Sequence, residues 1–409
     1  MIRALSRAVR RAAGAVLLGA ALVAAAGVPA QAARDVKEFV AGLGAAERKA
    51  FEAYLAAKTT YDFKLDAYWR EVSDKRALRK GKKGRGEALG PDDYVRTFPP
   101  VYDGPELAAD LAKRWATFQA EQEAQAKEPR KPLPGLDDFL AQAKAHYNFF
   151  PERIPEREFK RRYAIEALQL GLTKDQVVRV YALETSGLGT AEMVAGIHPI
   201  KKTGSPISSA IGYAQLLAAN STDELVQHGS KFLARLSEMA KARDITPARK
   251  DALAAKVEAL KKMLAAARSV PHKWDSHVAF ARTPRGLGIH AINLDGDIGP
   301  WLQVVKLNGL REMADRAGLA KLKGAEIELM NLAGPATGLE MMRAAARDAP
   351  TPNFFERGAY GRNTIVRGKT ATELMAALDK RMDDNIGNAG AIEFAEVFDQ
   401  VAAGAQVAQ

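Results

Sequence analysis

Helix-start signals recur through this chain, and strand signals are few. Thr173 is followed three residues later by Gln176, and Ser221 by Glu224. In this pattern a hydroxyl and a side-chain oxygen or amide each satisfy a backbone N–H at a helix start. Thr246 precedes Pro247, a cap followed by the residue whose missing N–H is no loss in a first turn. Apolar residues recur behind each signal at spacings of three and four, which is one helix face. They are Val177, Val180 and Tyr181; Leu225, Phe232, Leu233, Leu236 and Met239; and Leu253, Val257, Leu260 and Leu264. Helices are also expected over Leu107–Ala126, Asp137–Tyr147, Glu156–Leu170, Ala371–Met382 and Ile392–Val401, with Gly171 closing the third of them. Strand patterns are confined to short pieces near Ile327 and Ile365. The expected fold is mostly α.

A chain of 409 residues has room for two or three domains. Arg3, Arg7, Arg10 and Arg11, the apolar run Ala12–Val28 and the triplet Ala30-Gln31-Ala32 have the form of a cleavable secretory leader, with the cut expected after Ala32. The expected location is therefore the periplasm. Residues 33–135 read as a helical N-terminal region ending in a stiff, proline-rich connector from Lys127 to Gly135. Residues 136–308 read as the main domain and 309–409 as a helical C-terminal region. Lys75–Arg85, dense in Lys and Arg and interrupted by Gly81 and Gly84, reads as a solvated mobile loop that can also contact an anionic surface. The net charge is +11, or +7 without the four leader arginines, which favours an anionic partner. Nucleic acid is not expected, because the leader directs export and no groove-reading motif is present. The absence of cysteine excludes disulfides, thiolate metal sites and a cysteine nucleophile. No cofactor and no metal site is expected. His272, Asp275 and His277 fall short of a zinc ligand set, and Asp295-Gly296-Asp297 falls short of a calcium loop.

Glu184 is the first candidate for chemistry. It shares a helix face with Val177, Val180 and Tyr181, and Ser186, Gly187 and Gly189 follow it closely enough to end the helix there. An anion at a helix C-terminus opposes the dipole, and apolar neighbours disfavour the charged form. Both raise a carboxyl pKa, which suits a general acid. Farther on, Ile207, Ile211, Leu216 and Leu217 alternate with Ser208, Ser209, Ala210, Gly212 and Ala214. A helix built on these small residues approaches its neighbours closely and can project the Gln215 amide into a cleft beside Tyr213.

Together, Glu184-Thr185-Ser186-Gly187 and Gly212-Tyr213-Ala214-Gln215-Leu216-Leu217 resemble two motifs of the lytic transglycosylases, in particular the soluble, goose-lysozyme-like branch. In that branch a catalytic Glu is followed by Ser at a helix end, and a Gly-Leu-Met-Gln-Leu-type segment lines the cleft. A second branch has Glu-Thr followed shortly by glycine. The counterpart of a third family motif, Ala-Tyr-Asn-x-Gly, is Ala291–Gly296, which lacks the tyrosine and carries one extra residue. The resemblance spans roughly Phe150–Pro300. It implies a lysozyme-like helical catalytic domain, peptidoglycan glycan strands as partner, Glu184 as catalytic residue, and Tyr213, Gln215, Ser186, Thr185 and Asn293 as substrate-binding residues. Thr185 and Ser186 also have a plain helix-capping reading. The implied reaction is cleavage between N-acetylmuramic acid and N-acetylglucosamine with closure of a 1,6-anhydro ring. Two other classes fit the same residues. One is a non-catalytic cell-wall binding or scaffolding protein. The other is a hydrolytic lysozyme- or chitinase-like enzyme with a second carboxylate at Glu192 or Asp223.

Overall fold

The structure is a computed structural model that describes residues 30–126 and 132–407. The basic and apolar parts of the expected leader lie outside the described residues, as does Lys127–Lys131 of the connector. The chain is mostly helical, and β-structure among the described residues is limited to isolated bridges. No described helix is long and apolar enough to cross a membrane. Two compact units form. Of the described residues, one holds 30–126 together with Ala344–Ala371, and the other holds Pro132–Arg343 with 372–407.

The first unit contains α1 (Ala30–Ala41), α2 (Ala45–Gly84), α3 (Ala109–Ala126) and the short α14 (Arg357–Arg362). Its small core packs Leu43, Phe51, Leu111 and Trp115, with Phe39 and Phe118 against them. The expected loop at Lys75–Arg85 is instead the last quarter of α2, a 40-residue helix, with Arg85 as its C-cap. Strong helix formers surround Gly81 and Gly84, and tertiary bonds hold the basic side chains in place. Arg79, only 2% exposed, donates to the carbonyls of Asp93 (3.0 Å) and Asn353 (2.7 Å) and lies over the Tyr94 ring. Arg76 donates to the carbonyls of Pro352 and Phe355, both at 3.1 Å. Arg76 and Arg79 therefore anchor the 344–371 segment. Ile365 lies in a turn of that segment, not in a strand.

The second unit contains α4 (Leu136–Tyr147), α5 (Glu156–Gln169), α6 (Lys174–Glu184), α7 (Ala218–Lys241), α8 (Pro247–Arg268), α9 (Trp274–Ala281), α10 (Pro284–His290), α11 (Ile298–Arg316), α12 (Gly324–Ala333), α13 (Pro335–Met341), α15 (Ala371–Ile386) and α16 (Ala389–Val407). Nearly every residue of α11 from Ile298 to Leu307 is buried, so it runs through the core instead of presenting one face. Around it α7 packs on α8, α4 on α10, α5 on α16 and α6 on α12. Gly309 lies inside α11, so the boundary expected there does not exist, and Ile327 is helical in α12.

Two expected caps are in place. Thr173 Oγ1 accepts from the Gln176 N–H and Gln176 Oε1 from the Thr173 N–H, and Thr246 Oγ1 accepts from the Arg249 N–H ahead of the buried stripe Leu253, Val257, Leu260 and Leu264. The third is not. Helix α7 starts at Ala218, and Ser221 sits inside it with its hydroxyl turned to the buried His290.

Asp295-Gly296-Asp297 closes around an ammonium group. Lys256 Nζ lies 2.9 Å from Asp295, 2.5 Å from Asp297 and 2.7 Å from Glu152, while Arg162 and Arg249 reach Asp297 from the other side. All three of Lys256, Asp295 and Asp297 are buried.

Candidate active site

Helices α6 and α12 are joined at their starts. The Gly324 N–H donates to Asp175 Oδ2 (2.7 Å), and Gln176 Nε2 donates to the Leu322 carbonyl (2.6 Å). Gly324 has no room for a side chain, since a Cβ there would stand 2.8 Å from the Asp175 carbonyl oxygen. The two helices run on in the same direction, so their C-terminal ends arrive together. There Glu184, the last residue of α6, meets Glu328 and Asn331 of α12. Asn331 Nδ2 donates to Glu184 Oε1 (3.1 Å) and stands 3.5 Å from Glu328 Oε2, and the Glu328 carboxyl is within hydrogen-bonding reach of Glu184.

This environment favours protonated carboxyls. Burial is the main cause and pushes Glu184 up to about 7; the Glu328 and Asn331 hydrogen bonds and the positive charge of Arg381 hold it from going higher. Glu328, 2% exposed, is pushed well above the usual carboxyl range by burial and by the neighbouring Glu184 charge. Two helix C-termini converging on the same place add to the cost of an anion. Glu184 itself is half-buried, so part of it reaches the surface.

The residues after Glu184 are fixed by local geometry. Thr185 is buried, and its hydroxyl donates back to the Tyr181 carbonyl (2.7 Å), so it caps the helix and does not face a ligand. Ser186 is exposed in a left-handed conformation (φ 55°), with its carbonyl accepting from Asn388 Nδ2 (2.9 Å). Gly187 has φ 62°, and a Cβ there would collide with the Asn385 carbonyl oxygen. Gly187→Ala is expected to cost about 2–4 kcal/mol, from left-handed strain plus overpacking, measured by urea unfolding.

The second expected wall is arranged differently. Residues 207–217 are not helical. Two bridges, Val194–Ile211 and Ile211–Leu216, close a tight hairpin. Gly212 (φ 78°) and Gln215 (φ 43°) both adopt left-handed angles, which a helix cannot contain. The Gln215 amide donates to the carbonyls of Gly212 (2.8 Å) and Met193 (3.1 Å), so its N–H groups close the hairpin. Tyr213 is 1% exposed and packs among Phe159, Tyr163, Tyr181 and Phe394. Its hydroxyl donates to Glu156, whose carboxyl is raised by burial. Its ring therefore belongs to the core and offers no face to a sugar. Asn293 is also fully buried, donating to Ser221 Oγ (2.8 Å) and the His290 carbonyl (2.9 Å). It does not line a cleft.

Neither of the other candidate carboxylates is found in the group around Glu184. Glu192 is exposed and pairs with Arg153 (2.7 Å), and Asp223 lies 3.0 Å from His277 and 3.2 Å from His272. The carboxyl that does meet Glu184 is Glu328. Glu328 and Asn331 carried a usable signal: behind the capping Glu326, they are two polar residues three apart among apolar ones in a helix closed by Gly334. Among the described residues, no group of three or more His, Asp or Glu side chains is placed to hold a metal ion. A groove of about 820 Å³ between α5 and α16, and another of about 880 Å³ around Arg179, Arg311 and Lys321, are not lined by Glu184. No family model, no curated protein and no solved structure matches this chain.

Proposed function

We propose that this protein is an exported glycan-cleaving enzyme of the lytic transglycosylase type, with a lysozyme-like helical catalytic domain and Glu184 as its one general acid and base. The observation that carries the reading is a half-buried carboxyl at a helix C-terminus, with its proton held to about 7. Protonated Glu184 gives its proton to the oxygen bridging N-acetylmuramic acid and N-acetylglucosamine. The N-acetyl group of the muramoyl sugar stabilises the positive charge that develops at C1. Glu184, now ionised, takes the proton of the same sugar's C6 hydroxyl, and that oxygen closes on C1 to give the 1,6-anhydro end. No water is consumed.

Hydrolytic glycosidases place two carboxyls across the scissile bond, about 5–5.5 Å apart in retaining enzymes and farther in inverting ones. Glu184 and Glu328 are in hydrogen-bonding reach, which leaves no space between them for a sugar. The single-carboxyl reaction is therefore preferred. The test is mass spectrometry of purified sacculi incubated with the protein. Anhydro-muropeptides support the reading, reducing-end products select the hydrolase, and no products remove the enzyme. Cleavage requires the protonated acid, so kcat/KM is expected to fall as pH rises through about 7, by about tenfold per pH unit above it. Rates measured from pH 5 to 9 check this.

One observation favours a second reading, a non-catalytic cell-wall binding protein. The side chains of Tyr213 and Asn293 are internal and do not face a ligand. Retention of the protein on sacculi without release of any product selects that reading.

A further inference from the structure

The parallel packing of α6 and α12 brings two backbone carbonyl ends to one carboxyl, an electrostatically poor place for an anion. Any reaction that ionises Glu184 there needs donors aimed at it. The structure provides two, three residues apart on one face of α12: the Asn331 amide, 3.1 Å from Glu184 Oε1, and the Glu328 carboxyl, which is too buried to lose its own proton to water readily. Both stay in register with Glu184 because the starts of the helices are joined at Asp175, Gln176, Leu322 and Gly324.

We propose that Glu328 and Asn331 are positioning residues that hold Glu184 in one orientation, Glu328 as a protonated acid donating to the Glu184 carboxylate and Asn331 through its amide. The proposal rests on Glu184 being the acid and base of the reaction above. When Glu184 gives its proton to the leaving oxygen, the new carboxylate accepts these two hydrogen bonds without any group having to move. When it takes the C6 proton back, the bonds weaken again. Glu328 keeps its own proton throughout.

The test uses the full chain with ¹³C-labelled glutamate carboxyls, titrated by NMR with no substrate present. The wild-type protein is expected to show two carboxyls with midpoints near 7, those of Glu184 and Glu224, and the one that disappears in Glu184→Gln is the one followed in the other variants. In Glu328→Gln, whose amide still donates, that midpoint should stay within about half a unit. In Glu328→Leu and in Asn331→Ala it should move up by about one unit or more, because a donor to the charged form is lost. The basic limb of kcat should follow the midpoint, with KM little changed. Glu328→Gln keeps the proposal testable where Glu328→Leu fails to fold, since a Gln variant that loses the midpoint near 7 overturns it. An unchanged midpoint in folded Glu328→Leu and Asn331→Ala also overturns it, and does so even if the wild-type protein releases anhydro-muropeptides. The converse result, with midpoints shifting as expected but no glycan cleaved, overturns the proposed reaction while leaving the hydrogen-bonding roles in place.

Discussion

Glu184→Gln is expected to lose about 10²–10⁴-fold in anhydro-muropeptide release while becoming more stable above neutral pH. The two effects have one cause. The folded state holds the Glu184 proton to about 7 against an ordinary 4.5, so folding favours the protonated form. The stability this contributes is fully present below about pH 4.5 and is lost as pH rises through about 7. Glutamine mimics the neutral acid and never ionises, so the variant avoids that loss. At pH 8 the gain should be about 1–3 kcal/mol, less than the full shift implies because Glu184 is only half-buried. At pH 4 it should vanish. Urea unfolding at the two pH values, beside product analysis at pH 6, measures both. A variant with full activity removes Glu184 from the mechanism. Glu224, raised to about 7 by burial in α7, acts on stability with the same sign, so some loss between pH 5 and 8 should persist in the variant.

Lys256→Met is expected to be the most destabilising of these changes, by about 3–5 kcal/mol at pH 7. The methionine fits the space of the lysine stem but removes the charge facing Asp295, Asp297 and Glu152. Asp295 and Asp297 are both buried, and with Lys256 gone Asp297 keeps its two arginines while Asp295 keeps only backbone N–H donors and no facing positive charge. Taking one partner from a buried ionic cluster leaves charge in low dielectric with no access to water. Protonating the acids relieves this, so the deficit should shrink toward pH 4. Thermal unfolding should show a melting temperature lower by roughly 10 °C at pH 7. An unchanged melting temperature would mean that water reaches the cluster in solution.

The pattern of what could be read in advance follows from range. The Thr173–Gln176 and Thr246–Arg249 caps, the glycine end at Gly171 and the end of α6 at Glu184 each depend on atoms within four residues, and sequence alone determined them. It also located the carboxyl at the helix end, because the same local signals that stop α6 put Glu184 there. Local signals misled where tertiary contacts outweighed them. Gly81 and Gly84 suggested a loop, but Arg76 and Arg79 gain hydrogen bonds to a segment more than 270 residues away and the helix persists. The small residues from Ser208 to Gly212 suggested a helix, but bonds from Gln215 to Met193 and from the Ala214 N–H to Gln303 made a hairpin. The partner of Glu184 was beyond local reading altogether, since Asn331 is 147 residues away and only the packing of α6 on α12 brings it there. Sequence by itself determined a helical chain with an acid at a helix terminus. Tertiary structure alone decided that this acid shares a buried site with a second carboxyl, because desolvation and hydrogen bonding depend on what lies nearby in space and not on what lies nearby along the chain.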